Sequence, residues 1–399
     1  MLSPPTSVLK VPALRRRTAP NGPALPLRWQ HAPHADRFIQ ATAISGDGQR
    51  IVAASFHVET GRGHRRRPSA RDYAVFAYGL AGGEHWRDVC SHYEGVSTLA
   101  ISREGNTIAA GGWYSADTWS GFVSAWTAEG VRLLAWNHAP ARINSVALSA
   151  DGTTLVAIGE ALYLFTRSPG RPFTPEPRVF EVPQGLSDSL ALSADGCWIA
   201  TTDRRGSLYL LERTLDRFAP RHYVWQSPEP GPLGVLRFAA EGRWLACGSV
   251  DGTLHVFNRD TLIGSNRPVW SYPLSEASPP IDLALTPDGS RIAVALEQGD
   301  GGHVHLLRNH EGKPVLEWSR SIKRPPTSIA IDREGNWVAA ADADRRGTVG
   351  NYYLFEGASG LIAGSHRCAR GCWSVALDDR GRTLIGGSDD GNVYCFATR

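Results

Sequence analysis

Residues 283–296 of the chain read LALTPDGSRIAVAL, which is an apolar run, a short turn ending in glycine and a second apolar run. Asp288-Gly289 supplies a residue that can take positive φ, as tight antiparallel turns require. The flanking runs are rich in Val, Ile, Leu and Ala, as buried strands are. The segment therefore predicts a β-hairpin with Gly289 in its turn.

The same phrase occurs eight times along the chain. The glycines that end the eight turns are Gly48, Gly105, Gly152, Gly196, Gly242, Gly289, Gly335 and Gly381, with successive spacings of 57, 47, 44, 46, 47, 46 and 46 residues. Such a period indicates repeated structural units, each with an apolar face that it cannot bury alone.

Two further strands follow each hairpin. The third is exemplified by TLHVFN at residues 253–258, and the fourth often carries a tryptophan. The fourth-strand tryptophans are Trp86, Trp136, Trp225, Trp270 and Trp318, whereas the copies near Val179 and Leu361 have none. We predict an all-β fold, an eight-bladed β-propeller of four-stranded antiparallel blades.

The two ends of the chain predict how the ring closes. The last copy stops at Arg399 after three strands, and Leu27-Arg28-Trp29-Gln30 has the appearance of an orphan fourth strand. We expect this N-terminal strand to pair with the C-terminal blade, because the closed ring then has no exposed edge. The predicted domains are a basic, Pro-rich and flexible tail at residues 1–24 and the propeller at residues 25–399.

Charge and cysteine content narrow the class of protein. The net charge is +3, but residues 1–72 hold 12 Lys and Arg against 4 Asp and Glu, and the remainder holds 30 against 35. A basic front end indicates either a docking surface for an acidic partner or a solvated tail and loop. Six cysteines are too few for a disulfide scaffold, and the chain has neither an apolar run of membrane-spanning length nor a signal peptide's apolar region. We expect a cytoplasmic protein that does not enter membranes.

The repeat resembles the WD-repeat propellers over nearly the whole chain from about residue 25. It lacks the Gly-His pair that opens their repeats and the Trp-Asp pair that closes their third strand. The eight-fold count and the Trp-bearing fourth strand look more like the eight-bladed quinoprotein-type propellers. The resemblance is therefore one of architecture, and it implies either an interaction platform or a quinone-dependent dehydrogenase. The chain has no adjacent cysteine pair of the quinoprotein kind, so we expect no cofactor.

A long arginine-rich loop in the first blade is one candidate binding site. It spans residues 57–72 and carries Arg62, Arg65, Arg66 and Arg67. Arginines bind carboxylates and phosphates through forked hydrogen bonds, so this loop predicts an acidic protein partner. A solvated insertion is the alternative, and nucleic-acid binding is a weaker one because the rest of the chain is acidic.

An aromatic loop in the second blade is the other candidate. Trp113, Tyr114 and Trp119 lie within residues 112–121, and such rings are common at the centres of protein interfaces. The alternative is that the rings fold down onto the blade.

Other reactive residues do not assemble into a catalytic or metal site. His366, Cys368 and Cys372 provide three ligands, whereas structural zinc takes four. Asn144 and Asp282 lie near the starts of inner strands but form no recognisable set. We predict a non-catalytic protein-interaction scaffold. The alternatives are a small-molecule binder or quinoprotein-like enzyme that uses the central channel, and a nucleic-acid-associated scaffold.

Overall fold

The structure is a computed structural model of the chain. The residues that it describes are 22–33, 38–56, 74–89, 95–113, 120–180, 186–213, 218–228, 231–274, 278–310 and 312–399.

The described residues form eight four-stranded antiparallel sheets, the blades, in which strands pair in chain order from the inner to the outer edge. Blade 1 consists of β2 (Phe38–Ile44), β3 (Arg50–Phe56), β4 (Ala74–Gly79) and β5 (Glu84–Val89). Blade 2 consists of β6 (Gly95–Ile101), β7 (Thr107–Trp113), β8 (Gly121–Thr127) and β9 (Arg132–Ala139). Blade 3 consists of β10 (Ser145–Leu148), β11 (Thr154–Ile158), β12 (Leu162–Thr166) and β13 (Arg178–Phe180). Blade 4 consists of β14 (Leu186–Leu192), β15 (Trp198–Asp203), β16 (Ser207–Arg213) and β17 (Phe218–Gln226).

The second half of the ring repeats this arrangement. Blade 5 consists of β18 (Leu233–Phe238), β19 (Trp244–Ser249), β20 (Thr253–Asn258) and β21 (Trp270–Pro273), with the helix α1 (Arg259–Ser265) between its last two strands. Blade 6 consists of β22 (Pro280–Leu285), β23 (Arg291–Gln298), β24 (Gly301–His310) and β25 (Lys313–Ile322). Blade 7 consists of β26 (Pro326–Ile331), β27 (Trp337–Ala343), β28 (Gly350–Glu356) and β29 (Ile362–Cys368). Blade 8 consists of β30 (Cys372–Leu377), β31 (Thr383–Ser388), β32 (Val393–Ala397) and the N-terminal β1 (Leu27–His31).

The predicted fold and its closure are confirmed. β1 pairs antiparallel with β32, so that Trp29 lies opposite Cys395 and His31 opposite Val393. The ring is thus joined through hydrogen bonds between the two ends of the propeller. Just before β1, Leu25 is buried and its N–H donates to the Ser365 carbonyl oxygen of blade 7 at 3.0 Å. The domain boundary at residue 24 stays a prediction.

The hydrophobic core lies between the blades. Eight buried clusters each combine side chains of two neighbouring blades, and together they extend around the whole ring. Between blades 8 and 1, for example, Ile385 and Cys395 pack with Ile51 and Phe76, all fully buried. This arrangement explains why the second and third strands of each repeat are continuously apolar rather than alternating.

The eight hairpin turns form a hydrogen-bonded belt on one face of the ring. Their glycines all take positive φ, between 60° and 74°, as the sequence predicts. Backbone hydrogen bonds join neighbouring turns at seven of the eight junctions of this described region, as from Gly46 N–H to the Arg103 carbonyl oxygen at 2.8 Å. The exception follows blade 6, where Pro287 occupies the donor position and has no N–H to give. There the Arg291 guanidinium donates instead to the Gly335 carbonyl oxygen at 2.7 Å.

Tryptophans of the fourth strands link each blade to the next at several junctions. The indole N–H of Trp29 donates to the Leu80 carbonyl oxygen at 2.9 Å, that of Trp86 to Ala128 at 2.8 Å and that of Trp318 to Gly357 at 2.8 Å. In each case the ring packs on a glycine of the same turn in the next blade; these glycines are Gly82, Gly130 and Gly360. We call this arrangement the tryptophan clamp.

Candidate interaction surface

Antiparallel blades place their connections on two faces. The belt of hairpin turns, together with the turns between third and fourth strands, occupies one face, which we call the turn face. The loops between second and third strands and between successive blades occupy the other, which we call the loop face. Loops on a rigid scaffold are where binding residues most often lie, so the loop face is the candidate surface.

Most of the predicted contact residues lie outside the described residues. These are Arg62, Arg65, Arg66, Arg67, Tyr114 and Trp119. Trp113 is described, and the assignment of all seven to partner binding stays a prediction.

Trp113 lies on the loop face beside an arginine of the next blade. It is the last residue of β7, pairs with Gly95 and Gly121, and is half-buried. The guanidinium carbon of Arg142 lies 5.7 Å from its ring centroid, within the range of a cation–π contact. The Ile143 N–H donates to the Gly112 carbonyl oxygen at 3.1 Å, which fixes the loop containing Arg142 against β7.

The two polar residues near the inner strands have structural contacts. The Asn144 side-chain oxygen accepts a hydrogen bond from Arg142 Nε and so orients that arginine. The Asp282 carboxylate accepts from Arg237 Nη2 of blade 5 at 2.7 Å and from the Ile329 N–H of blade 7 at 3.0 Å. Asp282 is 8% exposed, so it connects three blades rather than presenting a carboxylate to the channel.

A basic patch that the sequence reading missed covers blades 6 to 8 of the loop face. Backbone hydrogen bonds link its loops, from Ala343 N–H to the Pro325 carbonyl oxygen at 3.2 Å and from Gly371 N–H to the Gly347 carbonyl oxygen at 3.0 Å. We define the basic patch by its five cations, Lys323, Arg324, Arg345, Arg346 and Arg370, which lie among the carboxylates of Glu297, Asp344 and Asp389. The cations come from three separate stretches of sequence, and only the fold brings them together.

Arg345 and Arg346 are the most accessible members of the patch. Both are exposed, and the Arg345 side chain retains 71% of its surface while pairing with Glu297 at 2.7 Å. An ion pair of such exposure contributes little to stability and leaves the guanidinium able to bind a second anion.

A buried carboxylate lies beneath the patch. Asp342, at 0% exposure, accepts hydrogen bonds from the Asn351 backbone N–H at 2.7 Å and the Tyr353 hydroxyl at 2.8 Å, with Arg324 Nη1 at 3.9 Å. Burial raises the pKa of Asp342, although these hydrogen bonds and Arg324 act to lower it. Burial also raises the pKa of Tyr353, and the neighbouring Asp342 raises it further. The Asp342 carboxylate is thus held by internal hydrogen-bond donors, which makes it a support for the loops.

The His366, Cys368 and Cys372 cluster lies where blade 7 meets blade 8. Both cysteines are buried, at 2% and 0% exposure. The hydrogen bond from the Cys372 thiol lowers the pKa of Cys368 to about 7; burial opposes this shift and His366 assists it. Burial raises the pKa of Cys372. Within the described part of the chain, no three His, Cys, Asp or Glu side chains converge as a metal site requires.

Two cavities lined by described residues open at the outer part of the ring. One, of about 490 Å³, lies between blades 2 and 3 and includes Trp136, Glu160 and Glu176 in its walls. The other, of about 700 Å³, lies between blades 8 and 1 on the turn face, with Arg28, Arg50 and His85 in its walls. Neither is lined by residues of the inner strands, so neither is a channel site of the kind that a quinoprotein-like enzyme would use.

One blade matches a known repeat family in sequence. The family model described as "WD domain, G-beta repeat" matches residues 231–258, which cover the first three strands of blade 5. The match ends at Phe257 and Asn258, where that family has Trp-Asp. The chain is a β-propeller whose fifth blade is similar to a WD repeat. No relative is found among curated protein sequences.

Solved WD-repeat-like propellers share the fold at low sequence identity. Sqt1 of Chaetomium thermophilum, in a structure bound to the N-terminus of the ribosomal protein L10, has a TM-score of 0.68 at 14% identity, over 92% of this chain and 98% of its own. The β-propeller domain of Cps50 (Swd1) of Myceliophteria thermophila has a TM-score of 0.57 at 15% identity, over 76% of this chain and 96% of its own. Among the described residues, no helix has the length and apolar character that crossing a membrane requires.

Proposed function

We propose that this propeller is a non-catalytic scaffold that binds a partner protein through its loop face and that it works in the cytoplasm. The observation that carries the proposal is the basic patch, five cations that three loops of a rigid ring hold on one face. Rigid presentation matters because little conformational entropy is lost when a partner docks.

The chemistry of the patch favours an acidic partner. Guanidinium groups bind carboxylates through two parallel hydrogen bonds, and exposed cations accelerate encounter with a negatively charged surface. The predicted arginines of blade 1 would extend the same preference. The Sqt1 propeller was solved with a segment of another protein bound, which supports peptide or protein binding as a use of this fold.

Charge reversal on the two faces tests the proposal. The loop-face variant is R345E/R346E. The matched control is R333E/R380E, which makes the same charge change at two exposed arginines of blades 7 and 8 on the turn face. Tagged wild type and both variants are purified gently from the protein's own source, with and without nuclease treatment, and their masses are measured by native mass spectrometry.

We expect an added protein mass on wild type and on the turn-face control, and its loss from the loop-face variant. Equal complexes on all three proteins would overturn the loop-face assignment. Loss of the added mass on nuclease treatment would instead indicate the nucleic-acid alternative. An added mass of a few hundred daltons would indicate the small-molecule alternative.

A further inference from the structure

The junction between blades 2 and 3 departs from the tryptophan clamp. Trp136 of β9 packs on Tyr163 and Phe165 of blade 3, with ring centroids 4.8 Å and 5.4 Å away. Its indole nitrogen is buried, and among the described residues it has no hydrogen-bond acceptor. Trp136 is 4% exposed, so its indole N–H is a buried hydrogen-bond donor without an acceptor among the described residues.

Strand register explains the missing acceptor. The clamp position of blade 2 lies opposite Ala125 and is occupied by Leu134, whereas Trp136 lies opposite Val123, two residues nearer the loop face.

The third and fourth strands of blade 3, β12 and β13, are joined by residues 167–177 instead of a tight glycine turn. This connection docks on blade 2 through Phe173, which is 4% exposed and whose N–H donates to the Leu133 carbonyl oxygen at 3.1 Å.

The result is the cavity of about 490 Å³, which we call the blade 2–3 groove. Trp136, Tyr163 and Val179 form apolar parts of its wall, and Val179 is 54% exposed. Glu160 and Glu176 add two exposed carboxylates, and neither has an ion-pair or hydrogen-bond partner among the described residues. The nearby Arg142 does not neutralise them, because its contacts are with Asn144 and Trp113.

We propose that the blade 2–3 groove binds an extended basic segment of a protein, whose Lys or Arg side chains are held by Glu160 at one end of the apolar wall and by Glu176 at the other. This inference rests on the proposed scaffold function and adds a second, oppositely charged surface to it. Two unpaired carboxylates select a cation, and the aliphatic stem of Lys or Arg fits an apolar wall. The ring of Trp136 contributes to the apolar wall, and its indole nitrogen lies buried beneath that surface.

A display library of random nonapeptides is the probe. It is selected on the full-length wild-type protein, and enriched peptides are then synthesised and titrated against three proteins. These are wild type, the groove variant E160K/E176K, and the control E241K/E334K, which reverses two exposed glutamates on the turn face. Thermal melting shows whether each variant is folded, and all four positions are exposed.

We expect enriched peptides to contain Lys or Arg and to bind the groove variant at least about tenfold more weakly than wild type, with no change for the control. In ¹H–¹⁵N spectra of indole groups, with the Trp136 signal assigned by its loss in W136F, that signal should shift when peptide is added, because Trp136 lines the groove. Failure to enrich any peptide, enrichment of peptides without Lys or Arg, or equal binding to the groove variant would each overturn the inference.

This outcome is separable from that of the scaffold proposal. If the partner complex survives in E160K/E176K but is lost in R345E/R346E, while the groove fails to bind peptides, the scaffold stands and the groove assignment falls. If peptides bind the groove but the complex is the same in R345E/R346E as in wild type, the groove stands and the basic-patch assignment falls.

Discussion

The indole N–H of Trp29 donates to the carbonyl oxygen of Leu80 at 2.9 Å, so the strand that completes the last blade also grips the first. A Cβ at Gly82 would lie 2.7 Å from Trp29 Cγ, which shows how closely the ring packs on this turn. Ring closure therefore depends on two sets of contacts, the pairing of β1 with β32 and the tryptophan clamp onto blade 1.

Replacing Trp29 should separate these two contributions. W29F removes only the indole donor and should lower the free energy of unfolding by about 1 kcal/mol. W29A also removes the packing of a half-buried ring and should lower it by roughly 2–3 kcal/mol. Urea denaturation of the purified protein measures both. Wild-type stability in both variants would show that strand pairing alone closes the ring.

The repeat and the closure were readable from sequence because they follow from local chemistry. The turn glycines recur at a regular period, and the N-terminal strand has no partner in its own repeat. Both features can be recognised in the amino-acid sequence without the structure. The blade 2–3 groove could not be recognised in this way, because Trp136 lies on a fourth strand as the clamped Trp86 and Trp318 do, but its pairing with the third strand is shifted by two residues. Whether an indole reaches its acceptor depends on this register, which the sequence of the fourth strand does not show.

Gly386 offers a test of packing between blades 7 and 8. A Cβ there would lie 2.4 Å from the ring of Tyr352, which is fully buried and whose hydroxyl donates to the Gly387 carbonyl oxygen at 2.7 Å. We expect G386A to lower the free energy of unfolding by about 1–3 kcal/mol through overpacking. The matched control is G264A in α1, where an added Cβ meets open space and alanine favours the helix by up to about 1 kcal/mol. Equal stabilities of the two variants in urea would contradict this account of the interface.

His305 of β24 should contribute a pH-dependent part of stability. Burial lowers the pKa of His305 from 6.5 in the unfolded chain to about 4, and the neighbouring His303 lowers it further. The folded state therefore binds fewer protons, so this contribution is fully present above pH 6.5 and is lost as the pH falls towards 4. H305V should lose less stability than wild type between pH 7 and pH 5 in urea titrations. The exposed His85, replaced by Val, is the control, and parallel pH profiles for wild type and H305V would refute the assignment.

The sequence predicted less of the candidate interaction surface than of the fold, and the physical reason is different. A dense run such as Arg65-Arg66-Arg67 is visible in sequence, whereas the basic patch draws single and paired cations from loops that are distant in the chain. Only backbone contacts such as Gly371 N–H to the Gly347 carbonyl oxygen bring those loops together. A search of the sequence for local runs of charged residues therefore does not find cations that the fold brings together from distant loops.

Trp113 is the predicted partner contact for which the structure provides a matched control. A second tryptophan, with similar burial and a similar arginine contact, lies on the turn face. Trp337 is also half-buried, and the guanidinium carbon of Arg399 lies 5.5 Å from its ring centroid, much as Arg142 lies 5.7 Å from that of Trp113. If Trp113 contacts the partner, W113A should weaken the complex at least about tenfold, whereas W337A should leave it intact. Both variants should lose stability to a similar extent, roughly 2–3 kcal/mol as for the half-buried ring of Trp29, and thermal melting shows whether each is folded. Affinity measured by titration against the purified partner decides the point, since equal binding of W113A and W337A would reduce Trp113 to a packing residue.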